Sequence, residues 1–268
     1  MSSILSETSV KQSLSKMKDL LHVEGRSYMV TGAASGIGRA TSLLLSEMGA
    51  KVLLADINAE KLEEVRSECK GEADTLVVDL MNADSIKQAV KDKVATFGKL
   101  HGFVHCAGIP YIAPLKVVNE EKAERVYKLN TYAAIELAKV CSNKQIYAGE
   151  HGAFVLISSV YGLVGSAANV GYAMSKGAIV AITKSLAMEL VNNGIRVNCV
   201  APGFIKTPMA DKVDGMMDSE YDARLNALHP MGLGSSEDVA NGILFLLSDM
   251  SSWMTGAVLN VDGGFTAQ

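Results

Sequence analysis

Two hydrophobic periods alternate along this chain almost from end to end. Short apolar runs stand at Tyr28–Thr31, Val52–Ala55, Leu76–Val78, Gly102–His105, Ala153–Ile157, Ile195–Val200 and Ala257–Val261, each with the length of a buried strand. Between them the spacing becomes helical: Ile37, Ala40, Leu44 and Met48 recur across Gly36–Met48. Asn58 stands where an N-cap would open a helix carrying Leu62, Val65 and Arg66. Further helices are predicted over Ala83–Phe97, around Glu120–Val140, over Val170–Val191 and near Ser236–Leu247. Apolar strands that alternate with helices form a parallel sheet covered on both faces. No Pro- or Gly-rich linker divides the chain. The expectation is therefore a single α/β domain, doubly wound around a mostly parallel seven-stranded sheet.

Two segments stand apart from that alternation. Val10, Leu14, Met17 and Leu21 form one helical stripe ahead of the first strand. This predicts an amphipathic helix, within an N-terminal extension at residues 1–23, that packs on the body or on a neighbouring subunit; residues 24–268 then form the domain. Lys206–Pro230 joins a strand to the last helix through two prolines and several methionines. Connections of that length are commonly lids or binding loops, and methionine suits an adaptable apolar contact.

Composition acts mainly by exclusion. A chain of 268 residues with 49% hydrophobic and 20% charged residues buries a core without disulfides or metals. A net charge of −4 offers neither the basic face that nucleic acid needs nor one for anionic lipid. Cys69, Cys106, Cys141 and Cys199 are too far apart for a patterned zinc site or disulfide framework. The first residues lack a basic stretch followed by an apolar core, so a cytoplasmic location is expected. The uncharged stretch Gly152–Ser175 carries too many Gly, Ser and Asn residues to span a membrane. Twenty-four glycines against five prolines is the one unusual balance.

Part of that glycine has chemistry. The first strand runs into Thr31-Gly32-Ala33-Ala34-Ser35-Gly36-Ile37-Gly38 and then a helix. Gly32 permits a tight turn, Gly36 a close backbone approach to a ligand, and Gly38 close packing of helix on strand. The amides of Ser35 to Gly38, at the helix N-terminus, then face a pyrophosphate, as in a Rossmann-type dinucleotide site. Asp56 ends the second strand 18 positions after Gly38, where an acid binds the adenosine ribose hydroxyls. A carboxylate there repels a 2′-phosphate, and no Arg or Lys occurs at Ala33, Ala34, Ser35 or Ile57 to receive one. NAD(H) is expected over NADP(H).

At Tyr172-Ala173-Met174-Ser175-Lys176 the sequence resembles the classical short-chain dehydrogenase/reductase family, in particular its 3-oxoacyl-carrier-protein reductases. Further motifs follow the family's order: Thr31–Gly38, Asp79, Ala107-Gly108, Asn130, Ser158-Ser159, Pro202-Gly203 with Thr207, and Thr255-Gly256 to Gly263-Gly264. The resemblance covers roughly residues 24–268. It implies that Tyr172 is the acid/base, that Ser159 binds the reacting oxygen, and that Lys176 holds the nicotinamide ribose. Asn130 would position a water linking Lys176 to solvent. It further implies adenine contacts at Asp79 and Leu80, cofactor contacts at Ala107, Gly108, Pro202 and Gly203, and nicotinamide contacts at Ile205 and Thr207. Tyr172 and Lys176 lie four apart on one helix face. An ammonium about 4 Å from the phenol would favour phenolate by about 4 kcal/mol, roughly three pKa units as an upper value.

The expected function is an NAD(H)-dependent exchange of secondary alcohol and ketone. The alternatives are an NADPH-dependent 3-oxoacyl-thioester reductase or a non-catalytic, nucleotide-sensing member of the same fold. The substrate, whether sugar, polyol, steroid or acyl thioester, stays open. The resemblance implies a homotetramer, with the last helix and final strand in one interface and the long central helices in another. One departure is His105-Cys106 where many members have Asn-Asn. In the family the first asparagine ties neighbouring strands, and His105 can serve as a donor in its place. His101 and His105 lie about 13 Å apart along a strand, too far to share a metal, and no metal is expected.

Overall fold

The computed structural model describes residues 20–207, 209 and 225–268. Leu20 and Leu21 are helical, but the rest of the predicted Val10–Leu21 helix lies outside the described residues, as does most of the Lys206–Pro230 connection. The strands are β1 (Ser27–Thr31), β2 (Lys51–Asp56), β3 (Ala73–Val77), β4 (Gly102–His105), β5 (Gly152–Ile157), β6 (Ile195–Pro202) and β7 (Val258–Val261). They form one sheet in the order β3-β2-β1-β4-β5-β6-β7. Every pairing is parallel, so the sheet is wholly rather than mostly parallel. The helices are α1 (Gly36–Glu47), α2 (Ala59–Glu68), α3 (Ala83–Phe97), α4 (Glu120–Tyr127), α5 (Ala133–Cys141), α6 (Val170–Leu190) and α7 (Ser236–Leu247).

Strand residues alternate between two cores. Met29, Leu53, Phe103, Phe154 and Leu156 face the layer of α3, α5 and α6, whereas Tyr28, Val30, Leu54, Val104 and Val155 face α1, α2 and α7. The Phe103 and Phe154 rings meet at 4.5 Å between centroids. Asn58 caps α2 as expected, its side chain accepting from the Lys61 amide. Two elements differ from the expectation. β3 begins at Ala73 rather than Leu76 because it is a sheet edge: Asp74 and Thr75 are only partly buried there, so no apolar run marks the start. The helix expected around Glu120–Val140 is interrupted by a π-helical turn at Lys128–Tyr132, which carries Asn130. Hydrophobic periodicity is blind to that one-residue insertion.

From β1 the chain winds outward through β2 and β3; it then returns to β4 and winds the other way. The crevice at the C-terminal ends of β1 and β4 is therefore the topological switch point, where such sheets bind ligands. Thr31, Asp56, His105, Ile157 and Pro202 all end their strands on this side.

Candidate active site

The glycine turn fills the crevice mouth in a way only glycine allows. Gly32 takes φ +66°, and a Cβ there would lie 2.8 Å from the Ala107 amide nitrogen. A Cβ on Gly38 would collide with the Gly32 carbonyl. Ser35 opens α1 with extended backbone and no side-chain cap, so the first amides of the helix are left for an external acceptor. Gly36 and Ile37 continue this edge, and Ile37 lines the cavity beyond it. The turn thus fits the pyrophosphate of a dinucleotide.

Asp56 lies beside the turn. One carboxylate oxygen accepts from the Ala34 amide at 3.3 Å and the other from Asn58 at 3.1 Å. Arg39, directly after Gly38, is engaged by Glu68. Asp79 is exposed, and its carboxylate accepts from the Met81 amide at 2.9 Å, a local turn bond. The Leu80 side chain is buried in the core. Both stand in the connection from β3 to α3, with only their backbone and an exposed carboxylate available to an adenine.

His105 joins three elements. Its Nε2–H donates to the Leu129 carbonyl at 3.1 Å, which leaves Nδ1 to accept from the Thr31 hydroxyl at 2.9 Å. Thr31 in turn accepts from the Ala107 amide at 3.3 Å. Burial, and next the Lys176 ammonium, pull the imidazole down to about 4, so it is neutral. His101 is occupied separately, accepting from the Ser27 amide. Asn130, fully buried in the π-turn, accepts from the Ile109 amide at 2.8 Å and donates to the Ile109 carbonyl and to Ser175 Oγ. Both of its amide hydrogens are thereby consumed. A Cβ on Gly108 would press on the Asn130 Oδ1 at 3.0 Å.

Ser159, Tyr172 and Lys176 share one cavity of about 590 Å³ with Pro202, Gly203, Ile205 and Thr207. Ser158 also lines it, but its hydroxyl is spent, donating to the Lys176 carbonyl at 2.8 Å. The expected depression of Tyr172 by Lys176 does not occur. Lys176 Nζ donates to the Ile157 carbonyl at 2.8 Å and stands 5.7 Å from the Tyr172 ring centroid. Burial therefore dominates and pushes the phenol up to about 12, with Ser159 opposing through a hydrogen bond. The same burial pulls Lys176 down to about 8. Burial also pushes the Cys106 thiol up to about 12, which removes it as a nucleophile at neutral pH.

No sequence motif marks the far wall. His229 Nε2 accepts from the Phe204 amide at 3.0 Å while its other nitrogen donates to the Leu225 carbonyl at 2.7 Å. Phe265, four residues from the end of β7, stacks near His229 at 5.0 Å and meets Tyr161 edge-on at 6.1 Å. Among the described residues no group of His, Cys, Asp or Glu is placed to hold a metal, and no helix is long and apolar enough to cross a membrane.

A family model described as enoyl-(acyl carrier protein) reductase matches residues 32–266. The 3-oxoacyl-[acyl-carrier-protein] reductase of Thermotoga maritima is 38% identical over 248 residues, 91% of this chain and 99% of that one. This chain belongs to the short-chain dehydrogenase/reductase family. As a short-chain dehydrogenase/reductase it is an oxidoreductase acting on alcohol groups, with a fold that binds a nicotinamide dinucleotide. It is also similar to the 2,5-dichloro-2,5-cyclohexadiene-1,4-diol dehydrogenase of Sphingobium indicum, 36% identical over 255 residues, 94% of this chain and all of the other. Among solved structures, a protein from Beutenbergia cavernae assigned as an NAD(P)-dependent gluconate 5-dehydrogenase, with NADP bound at low occupancy, superposes with TM-score 0.86. The two are 33% identical over 92% of this chain and 98% of that one.

Proposed function

We propose that this chain is an NAD(H)-dependent oxidoreductase that interconverts a secondary alcohol and a ketone. The carrying observation is that Ser159, Tyr172 and Lys176 open into one cavity beside the glycine turn. The Ser159 hydroxyl would bind the reacting oxygen, and Tyr172 would give it a proton during reduction or take one during oxidation. Bound nicotinamide would supply the hydride or accept it. A buried, protonated Tyr172 is poised as the acid, and the oxidising direction needs positive charge brought toward the phenol. Lys176 would supply it by leaving the Ile157 carbonyl for the nicotinamide ribose. The three reaction groups lie together in one cleft, which disfavours a purely nucleotide-sensing role.

The cofactor would be held by the amides of Gly32 and Ser35–Gly38, by Asp56 at the adenosine ribose, and by Asp79 and Leu80 near adenine. Ala107 and Gly108, with Pro202, Gly203, Ile205 and Thr207, would complete the nicotinamide side. Asn130 would help position a water linking Lys176 to solvent. Asp56 beside Ala34, with Arg39 engaged by Glu68 and no Arg or Lys at Ala33, Ala34, Ser35 or Ile57, supports NAD(H). The second reading is an NADPH-dependent 3-oxoacyl-thioester reductase, favoured by the Thermotoga relative and by the NADP in the Beutenbergia structure. Initial rates with NADH and NADPH separate the two. A higher kcat/KM for NADPH would refute the Asp56 argument.

Residues 24–268 would form the catalytic domain, with residues 1–23 as an extension. A homotetramer is supported by apolar side chains exposed on α6: Val170 at 51%, Met174 at 50% and Met188 at 73%. Light scattering on the purified protein tests this, and a monomer would contradict it.

A further inference from the structure

The cavity beyond Ser159 and Tyr172 is chemically one-sided. Apart from Lys176, no Lys, Arg, Asp or Glu lines it among the described residues. Polar groups that do line it are already spent on the protein. Both His229 ring nitrogens are bonded to backbone. The Tyr111 hydroxyl accepts from the Asn119 amide at 2.7 Å, and the Asn169 amide donates to Ser166 and to the Ala167 carbonyl. A sugar or polyol would bury several hydroxyls against Ile112, Val160, Leu228 and Phe265, where few unpaired polar groups stand among the described residues. A phosphopantetheine arm would bring a charge that, among the described lining residues, only Lys176 beside the reacting groups could meet.

Tyr161 is the exception. Its ring is fixed, since its amide donates to Ser159 Oγ at 3.2 Å and its edge meets Phe265. Its hydroxyl has no hydrogen-bond partner among the described residues, and the phenol is near enough to Tyr172 to act on its ionisation. The slot therefore offers two reacting hydroxyls, aromatic and aliphatic walls, and one further unused hydroxyl. Rigid rings suit such walls because little rotational freedom is lost on binding.

We propose that the cavity takes a compact, uncharged carbocyclic secondary alcohol or its ketone, carrying a second oxygen that Tyr161 hydrogen-bonds. This rests on Ser159 and Tyr172 being the reacting pair. The test compares kcat/KM of the NADH-loaded protein for cyclohexane-1,4-dione, cyclohexanone, fructose and acetoacetyl-coenzyme A. The dione is expected to exceed cyclohexanone by about tenfold, the worth of one good hydrogen bond, and the other two by about 100-fold or more. Tyr161→Phe is expected to collapse the dione-to-cyclohexanone ratio toward one. A thioester or fructose preferred over both ring ketones overturns the substrate class. A ratio unmoved by Tyr161→Phe overturns the role of Tyr161. Binding is read independently by titrating both ring ketones into NADH-loaded Tyr172→Phe protein and following NADH fluorescence. Tyr161-dependent binding of the dione with an intact rate in Tyr172→Phe refutes only the reacting pair; no binding of either ring ketone refutes the proposal itself.

Discussion

His105 donates through Nε2 to the carbonyl of Leu129, the residue before Asn130 in the π-turn. The imidazole thereby pins the turn to the end of β1, whose Thr31 hydroxyl it also binds. His105→Leu would leave the Thr31 hydroxyl without an acceptor for its proton and the Leu129 carbonyl without this donor, at a cost of about 2–3 kcal/mol. A drop in Tm is the readout. His105→Gln, which keeps a donor and an acceptor, is expected to recover part of it.

The same histidine sets an acid limb of stability. Its folded value of about 4 lies below the ordinary 6.5, so between these pH values the unfolded chain binds the extra proton. Stability is full above that window and is lost as pH falls through it, by up to about 3 kcal/mol. Urea melts across the window test this. His101, which burial also lowers, adds a slope of the same sign, whereas the lowered carboxylates Asp74, Asp249 and Asp262 titrate below their ordinary 3.8. A slope undiminished in His105→Gln would therefore contradict the His105 share.

Gly38→Ala would push a Cβ into the Gly32 carbonyl. The turn must then open, and NADH affinity is expected to fall at least about tenfold, or 1.4 kcal/mol. Fluorescence titration of NADH measures it. Equal affinity would mean that the turn does not hold the cofactor.

Asp56→Asn removes the charge proposed to repel a 2′-phosphate. Like charges in contact cost several kcal/mol, so kcat/KM for NADPH relative to NADH should rise by about 100-fold. An unchanged ratio would move cofactor selection elsewhere.

The sheet and the glycine turn were legible because local period and local backbone need determine them. Asn58 as a cap and Gly32 and Gly38 as unavoidable glycines are examples. The π-turn was not legible, since Lys128–Tyr132 keeps a helical apolar spacing on either side. Neither was the aromatic wall, which brings Tyr161, His229 and Phe265 together across about a hundred residues of chain. The ionisation of Tyr172 departs from what its spacing to Lys176 implies for a related reason. Spacing put Lys176 on the same helix face, but only the fold supplies the Ile157 carbonyl that draws its ammonium aside.

The central claim is that Tyr172 moves the proton. The most direct measurement is the single-turnover rate of ketone reduction by NADH-loaded Tyr172→Phe, alongside its NADH affinity. The account expects the rate to fall by about 100-fold to 10,000-fold with NADH affinity retained. A rate equal to that of the unaltered protein, with NADH bound equally well, would contradict it.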